Sequence, residues 1–250
     1  MAEFNSAEKI IISSESTIAS TDVMTGGKDQ SRFLYYQLKM SMARAKGIDI
    51  IVSFLMESGV RMILKDINNA LDRGARVRIL TGNYLGITQP SALYLIKKEL
   101  GSRIDLRFYN DKTRAFHPKA YIFHFEKSSE IYIGSSNISK SALTSGIEWN
   151  YRFNSMADNK NYQLFYQTFE DLFFHHSILI DNEELYRYSK SWRKPAVSKD
   201  LARYDNLEEN TETKVEALFQ PRGAQIEALY ALEDSRAEGA VKGLVQAAVT

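Results

Sequence analysis

Polar residues between positions 116 and 148 have the types and spacing that chemistry on a phosphodiester requires. The segment Phe116-His-Pro-Lys-Ala-Tyr-Ile-Phe123 carries an imidazole and an ammonium group, Gly134-Ser-Ser-Asn137 adds hydroxyls and an amide, and Glu148 adds a carboxylate. A phosphodiester is an anion that repels nucleophiles, so positive charge is needed beside its phosphorus. A lysine can supply such charge in place of a metal ion, and a neutral imidazole is a nucleophile or a base. The set therefore contains the groups for a metal-free attack on a phosphodiester.

The surrounding sequence predicts the elements that position these groups. Apolar or alternating runs predict strands at 49–53, 76–80, 103–109, 119–125, 131–135 and 148–153. Helical periodicity predicts helices at 31–45, 60–73, 91–100, 139–144, 161–176, 183–192 and from 225 to about 235. Early alternation of strands and helices, followed by a hairpin at 126–130, predicts an α/β layered sheet with mixed strand directions.

Alternation along the strands predicts which side chains meet. His117 and Lys119 are two residues apart and project to one side, as do Ser135 and Asn137. The hairpin between the two segments brings these pairs together, with Glu148 at the start of the next strand.

Bulk composition sets limits on the function. The chain has 250 residues, a net charge of +1 and no cysteine. It therefore has no global signature of polyanion binding, and any nucleic-acid contact must come from a local basic patch. The absence of thiols, of an apolar run long enough for a membrane span and of a secretory signal predicts a cytoplasmic protein without a membrane partner.

The ordered set His117-Pro-Lys119, Gly134-Ser-Ser-Asn137 and Glu148 resembles the HxK…GSxN…E signature of the phospholipase D superfamily. The resemblance covers roughly residues 30–190 and is closest to the nuclease branch, which includes periplasmic-type nucleases and metal-independent restriction endonucleases. One position departs, because the Asp that usually follows the His by seven residues is His124 here.

The resemblance implies a phospholipase D-like mixed sheet flanked by helices, no metal, and a role for each site residue. His117 is then the nucleophile that forms a phosphohistidine, and a second copy of it protonates the leaving oxygen and later activates water. Lys119 and Asn137 hold the non-bridging oxygens, Ser135 assists through its hydroxyl, and Glu148 orients and stabilises an imidazole. Because the chain carries one such motif, the resemblance implies a symmetric homodimer with a composite site.

Several further residues are candidates for substrate binding. Ser53 and Asn83 follow predicted strands, where sites of α/β sheets lie, although ordinary caps and turns are an alternative. Three basic residues are candidates for phosphate contacts, and each also fits a solvated surface charge: Arg114, Lys140 and Arg152. Trp149 and Tyr151, beside Glu148, fit a core or an interface better than a base-stacking platform.

The sequence divides into an N-terminal arm (1–30), a nuclease domain (31–194), a polar linker (195–218) and a C-terminal segment (219–250). In that last segment Phe219-Gln-Pro-Arg222 and Gln225 resemble the adenine-contacting start of a superfamily 2 helicase. The phosphate-binding GxxxxGK[ST] loop does not follow, so we expect no ATP hydrolysis and a poorly ordered tail. The resemblance implies the beginning of a helicase domain in a larger ATP-dependent restriction or phage-defence protein.

The leading hypothesis is a DNA endonuclease that needs no cofactor, with ATP and magnesium relevant only where the helicase portion of the same polypeptide is present. Two alternatives stay open. One is a phospholipase-type phosphodiesterase, and the other is a silent DNA-binding or dimerisation module.

Overall fold

A computed structural model of the chain describes residues 21–195 except 28 and 112, together with 204, 221 and 223–242. Sequence predictions that concern other positions lie outside the described residues. These are nearly all of the linker (195–218), Phe219 and Arg222 of the helicase-like segment, and most of the N-terminal arm.

The described chain folds into one sheet with helices on both faces. The strands are β1 (Val23–Met24), β2 (Gly47–Val52), β3 (Arg76–Thr81), β4 (Ile104–Tyr109), β5 (Lys119–His124), β6 (Ser129–Gly134), β7 (Asn150–Asn154) and β8 (Ser177–Leu179). The helices are α1 (Leu34–Met42), α2 (Glu57–Asp72), α3 (Pro90–Leu100), α4 (Lys140–Thr144), α5 (Asn159–His175), α6 (Asn182–Ser191) and α7 (Ala224–Ala237). The strand order is β1-β7-β6-β5-β2-β3-β4-β8.

The predicted mixture of strand directions is confirmed. Strands β2, β3 and β4 run parallel to one another, and β5 pairs antiparallel with both β2 and β6. The patterns did not reveal β1 and β8, which have two and three residues and are too short to show a period. Because β1 pairs with β7, the sheet already includes residues of the predicted N-terminal arm.

Helices on both faces explain why β2 is apolar along nearly its whole length and buried at every position. The larger core joins the sheet to α1, α2 and α3 through residues such as Leu38, Ile63 and Leu93. The smaller core packs α5 against the opposite face through Phe169 and Phe173.

A buried ionic cluster lies under α5 on that second face. Asp49 of β2 is fully buried and accepts two hydrogen bonds from Arg78 of β3, at 2.6 and 2.8 Å. His124 Nε2 lies 2.7 Å from the same carboxylate, and Arg78 also pairs with Glu170 of α5 at 2.5 Å. Burial alone would raise the pKa of Asp49, but the bonds from Arg78 and His124 hold it below its ordinary value. We call Asp49, Arg78, His124 and Glu170 the α5 ionic cluster.

The C-terminal helix α7 is packed on the domain, which corrects the expectation of a poorly ordered tail for this part of the segment. Ile226 is only 2% exposed and belongs to the larger core. The Tyr230 ring meets the Tyr94 ring of α3 with 4.9 Å between centroids, and its hydroxyl donates to Asn182 Oδ1 of α6 at 2.6 Å.

Candidate active site

The predicted site residues lie at the edge of the sheet where β2 ends. Lys119, the first residue of β5, pairs with Val52, the last residue of β2. Strand β6 pairs with β5 and ends at Gly134, so Ser135 and Asn137 follow at the same edge. His117 precedes β5, in agreement with the strand predicted at 119–125, whereas Glu148 precedes β7 instead of being its first residue as predicted.

His117 and Lys119 are in direct contact. The Lys119 Nζ lies 2.9 Å from each ring nitrogen of His117 and donates to the His117 carbonyl at 3.1 Å. An ammonium group has donors only, so this contact requires an unprotonated ring nitrogen. Burial and the positive charge of Lys119 both lower the pKa of His117, which favours the neutral imidazole.

Lys119 is itself 9% exposed. Burial lowers its pKa, and the carboxylate of Glu148 opposes that effect. Glu148 therefore lies close enough to Lys119 to help keep the ammonium charged.

A short hydrogen-bonded unit joins β6 to the segment before β7. The Ser135 hydroxyl donates to the Glu148 carboxylate, and it accepts from the Trp149 N–H at 3.0 Å. Gly134 permits this close approach, because a Cβ there would overlap the Trp149 carbonyl oxygen. The hydroxyl of Ser135 and the carboxylate of Glu148, which the sequence analysis assigned to separate roles, are thus bonded to each other within one chain.

Asn137 is fixed by the residues that follow β2. Its Oδ1 accepts from the Phe54 N–H at 3.2 Å, and the side chain is buried. This bond uses the carbonyl end of the amide for structure, so the amino end is the one available to a ligand. Ser53 donates its hydroxyl to the Pro118 carbonyl at 3.3 Å, beside His117. The role of Phe54 is carried by its backbone, so residue type gave no signal of it.

Helix α2 begins against the same segment. Met56 N–H donates to the Ile138 carbonyl at 2.9 Å, one residue past Asn137. A Cβ on Gly59 would lie 2.5 Å from the Ile138 carbonyl carbon and the Ser139 nitrogen. The absence of a side chain at Gly59 therefore lets α2 pack directly against the backbone that follows Asn137.

Tyr84 is a site neighbour that the sequence analysis did not single out. It lies in the loop after β3, and its ring meets the imidazole of His117 with 4.2 Å between centroids and a tilt of 46°. The available signal was an aromatic residue directly after Thr81-Gly-Asn83, a strand end already considered as a site border.

The structure does not bring all the predicted substrate-binding residues to His117. Arg152, a predicted phosphate contact, instead donates to Asp22 at 2.8 Å and lies 3.8 Å from Glu130. It pairs across the sheet with Tyr132, two positions along β6 from the end near the site. The guanidinium is therefore bound to carboxylates of the domain itself, and its phosphate contact stays a prediction.

The other predicted substrate contacts stay predictions. Asn83 Oδ1 accepts from the Tyr188 hydroxyl at 2.8 Å. Arg114 is exposed, and Lys140 begins α4 with its backbone N–H bonded to Ser58 Oγ at 3.3 Å. Gln225 lies exposed in the first turn of α7, while Phe219 and Arg222 lie outside the described residues.

An exposed apolar surface borders the site. Ile147, Trp149 and Tyr151, which we call the β7 strip, are 87%, 72% and 53% exposed. The strip begins beside Glu148 and continues along β7. It is therefore not part of the core of this chain, which removes one of the two interpretations that the sequence favoured.

The described residues include no metal-binding group and no helix able to span a membrane. No group of three or more His, Asp or Glu side chains there is arranged to hold a metal ion. Over that same part of the chain, helices are too short or too polar to cross a bilayer. The predicted cytoplasmic location stays a prediction.

Comparison with known proteins identifies the family. Residues 38–177 match the family model described as cardiolipin synthase, PLD-like domain. No curated protein matches. In fold, the chain is similar to Nuc from Salmonella typhimurium, a phospholipase D family member, with 22% identity, a TM-score of 0.50, and coverage of 64% of this chain and 98% of that one. NucT from Helicobacter pylori has 16% identity, a TM-score of 0.49, and coverage of 63% and 97%.

The family match and the fold shared with Nuc confirm the predicted phospholipase D-like α/β fold. The family match also supports, at the level of the family, the predicted phosphodiesterase class of hydrolase. The helicase resemblance, the homodimer and the individual residue roles stay predictions. The family model spans residues 38–177 of the 250, which is more than half of the sequence. The chain therefore belongs to the PLD-like domain family.

Proposed function

We propose that this chain is a metal-independent DNA endonuclease domain that acts through a phosphohistidine at a composite site of a homodimer. The observation that carries the proposal is the contact between His117 and Lys119, at 2.9 Å from Nζ to each ring nitrogen. It places a neutral nucleophile beside a fixed positive charge, which is the combination that attack on an anionic phosphodiester requires. DNA is favoured over lipid by the resemblance to the nuclease branch and by the fold shared with Nuc.

In the first step a ring nitrogen of His117 attacks phosphorus. The P–N bond forms as the bond to the leaving oxygen breaks, and the leaving oxygen takes a proton from an acid. Lys119 and the amino group of Asn137 stabilise the non-bridging oxygens, where negative charge is held during the transfer. Water then attacks the phosphohistidine and releases a phosphate monoester end together with free His117.

The acid of the first step must be a second group. His117 is the nucleophile, and Lys119 is used for charge. Two identical imidazoles that face each other share one proton and titrate in two steps, so one is neutral while the other is protonated. A second copy of His117 in a two-fold dimer meets this need.

The β7 strip supports the dimer. Three large apolar side chains beside Glu148 face solvent in one chain, and exposed apolar patches of this kind mark interaction sites. A second copy seated near the strip places its own site next to the first. Glu148, which contacts Ser135 here, is then positioned to orient the imidazole of the other copy.

The deciding experiment is cleavage of plasmid and single-stranded DNA in excess EDTA, with His117→Ala alongside the unmodified chain. We expect cleavage to survive EDTA and to vanish in His117→Ala. The matched control is His175→Ala, which removes an exposed histidine at the end of α5 and leaves cleavage intact. An active His117→Ala protein contradicts the mechanism, and binding without cleavage at any pH favours the silent module.

The dimer is tested separately by sedimentation equilibrium at micromolar concentration. Trp149→Asp places like charges across a two-fold interface, so we expect it to dissociate the dimer and abolish cleavage. Tyr186→Asp, at an exposed aromatic on α6, is the control that leaves both unchanged. If the unmodified chain is monomeric and still cleaves DNA, the proposal of a composite site is wrong. The proposed role of His117 as nucleophile is not contradicted by that result.

The lipid alternative is favoured by one observation, since the same β7 strip beside the site is suited to insertion into a lipid surface. Cosedimentation with anionic phospholipid vesicles, followed by release of the head group, distinguishes it from DNA cleavage.

The helicase context is a further part of the proposal and rests on the resemblance at residues 219–225. We propose that the nuclease domain belongs to an ATP-dependent restriction or phage-defence protein. In that case a longer form of the chain cleaves DNA in response to ATP and magnesium, and the described domain binds neither. ATP binding by the isolated chain contradicts the proposal that the described domain binds neither ATP nor magnesium.

A further inference from the structure

The loop between β3 and α3 is built to bring one aromatic ring onto the imidazole. Gly82 lets the loop pass close to the segment before β5, because a Cβ there would lie 2.6 Å from Cδ1 of Phe116. Two residues later the Tyr84 ring meets the His117 ring, with 4.2 Å between their centroids. Leu85 then adopts a φ of +52°, a left-handed conformation that costs free energy in a residue with a branched side chain.

Contacts from α6 hold this strained loop in place. The Tyr188 hydroxyl donates to the Thr88 carbonyl at 2.7 Å and lies 2.8 Å from Asn83 Oδ1. Trp192 Nε1, just past the end of α6, donates to the Gly86 carbonyl at 2.8 Å. The loop is therefore bonded on both sides of Tyr84, and its conformation depends on groups far away in sequence.

We propose that Tyr84 is a positioning residue that fixes the imidazole of His117 for attack, and that α6 holds it there. This inference rests on the proposed function, and it adds to it a residue outside the HxK, GSxN and Glu set. Tyr84 contacts the imidazole of His117 and supplies no group to the reaction, so its effect is exerted through the histidine.

The physical reason is the freedom of a solvent-facing ring. His117 is exposed and lies before β5, so no strand pairing fixes its side chain. Lys119 contacts both ring nitrogens, and Tyr84 contacts the ring itself. Together they restrict rotation about the side-chain bonds. Without the Tyr84 ring the imidazole reaches other rotamers, and misplacement of a reacting group by about 1 Å costs up to about 100-fold in rate.

The test compares Tyr84→Ala with Tyr84→Phe, using a single-stranded oligonucleotide in EDTA. We expect kcat to fall by up to about 100-fold in Tyr84→Ala with little change in KM, because the ring orients the nucleophile. Tyr84→Phe keeps the ring and rescues kcat. A rise in KM at unchanged kcat overturns the proposal, because Tyr84 would then act on a nucleotide base. No change in either constant overturns it as well.

A second pair of variants tests the support from α6. Tyr188→Phe removes the hydroxyl that holds the loop and keeps the ring that packs against Phe108. We expect Tyr188→Phe to lower kcat, by a smaller factor than Tyr84→Ala does. Tyr186→Phe removes a hydroxyl from the same helix, and among the described residues the hydrogen-bond partner of that hydroxyl is Lys190. We expect it to leave kcat unchanged.

A measurement without substrate separates this inference from the proposed function. The chain has 4 histidines, so the ring protons of His117 are assigned by their loss in His117→Ala. A Tyr ring at this distance shifts those resonances, so they move in Tyr84→Ala and stay in place in Tyr84→Phe. Absence of a shift refutes the positioning contact. If the shift is seen while the unmodified chain cleaves no DNA, the positioning stands and the nuclease proposal fails.

Discussion

Replacement of Asp49 by Asn tests whether the α5 ionic cluster holds the strand that carries the site. Asp49 is fully buried and binds Arg78 through both carboxylate oxygens. Asn keeps the shape but removes the charge, which leaves Arg78 with Glu170 as its remaining acidic partner. Breaking a buried pair by removing one charge costs about 3–5 kcal/mol. Because Glu170 still pairs with Arg78 in the variant, we expect a loss of about 3 kcal/mol, at the lower end of that range. In a chain of this size that lowers Tm by roughly 6–12 °C.

The assay is urea unfolding followed by circular dichroism, at several pH values. The pKa of Asp49 is held below its ordinary value in the folded protein. Its contribution to stability is therefore complete above about pH 4, the unfolded pKa, and is lost as the pH falls through the lower folded pKa. The difference in unfolding free energy between the unmodified chain and Asp49→Asn thus narrows in acid.

The matched control is Asp105→Asn, at a carboxylate on β4 whose pair with Arg107 is partly exposed. An exposed pair is worth about 0–1 kcal/mol, so this change has a small effect at every pH. Equal destabilisation by Asp49→Asn and Asp105→Asn refutes the argument that burial makes the cluster valuable.

Two further changes probe the site directly. Glu148→Gln removes the negative charge that counteracts the effect of burial on the pKa of Lys119, so that pKa falls further. We expect the alkaline limb of the pH profile of kcat to move to lower pH. An unchanged profile shows that Glu148 does not act at the site. In Gly59→Ala the new Cβ would lie 2.5 Å from backbone atoms of Ile138 and Ser139, so the segment after Asn137 must shift. We expect activity to fall by more than about 10-fold, because Asn137 is then misplaced relative to the substrate. Thermal unfolding of the same Gly59→Ala protein shows whether the fold survives, and full activity in it shows that α2 does not position the site.

The residues predicted for the site lie together in the structure, whereas the groups that hold them in place were not predicted. His117, Lys119 and Glu148 were found because their residue types and spacing carry the information, and the polar groups do lie at one edge of the sheet. Phe54 was not found because it acts through its backbone. Tyr84 was not found because its contact depends on how the loop after β3 returns to the sheet.

Charge patterns were the least reliable guide. Arg152 looks like a phosphate contact along the chain, but Asp22, which brings it a carboxylate, is 130 residues away and belongs to the predicted arm. Asp49 lies in an apolar run, and its partner Arg78 lies one strand further on. Such pairs are set by strand register, which no local pattern shows. By contrast, strand and helix positions were recovered to within a few residues wherever the apolar period extended over several residues.

The bonds made by the three residues after β2 lead us to expect that the site forms late in folding. Ser53, Phe54 and Leu55 bond to Pro118, Asn137 and Thr88, at separations of 65, 83 and 33 residues. Closing loops of this length is entropically costly, so these bonds form only once the distant strands are already paired. One short peptide thus links three segments that are far apart in the sequence. We therefore expect local opening of residues 53–55 to loosen three parts of the site together: the backbone at Pro118, the amide of Asn137 and the loop that ends at Thr88.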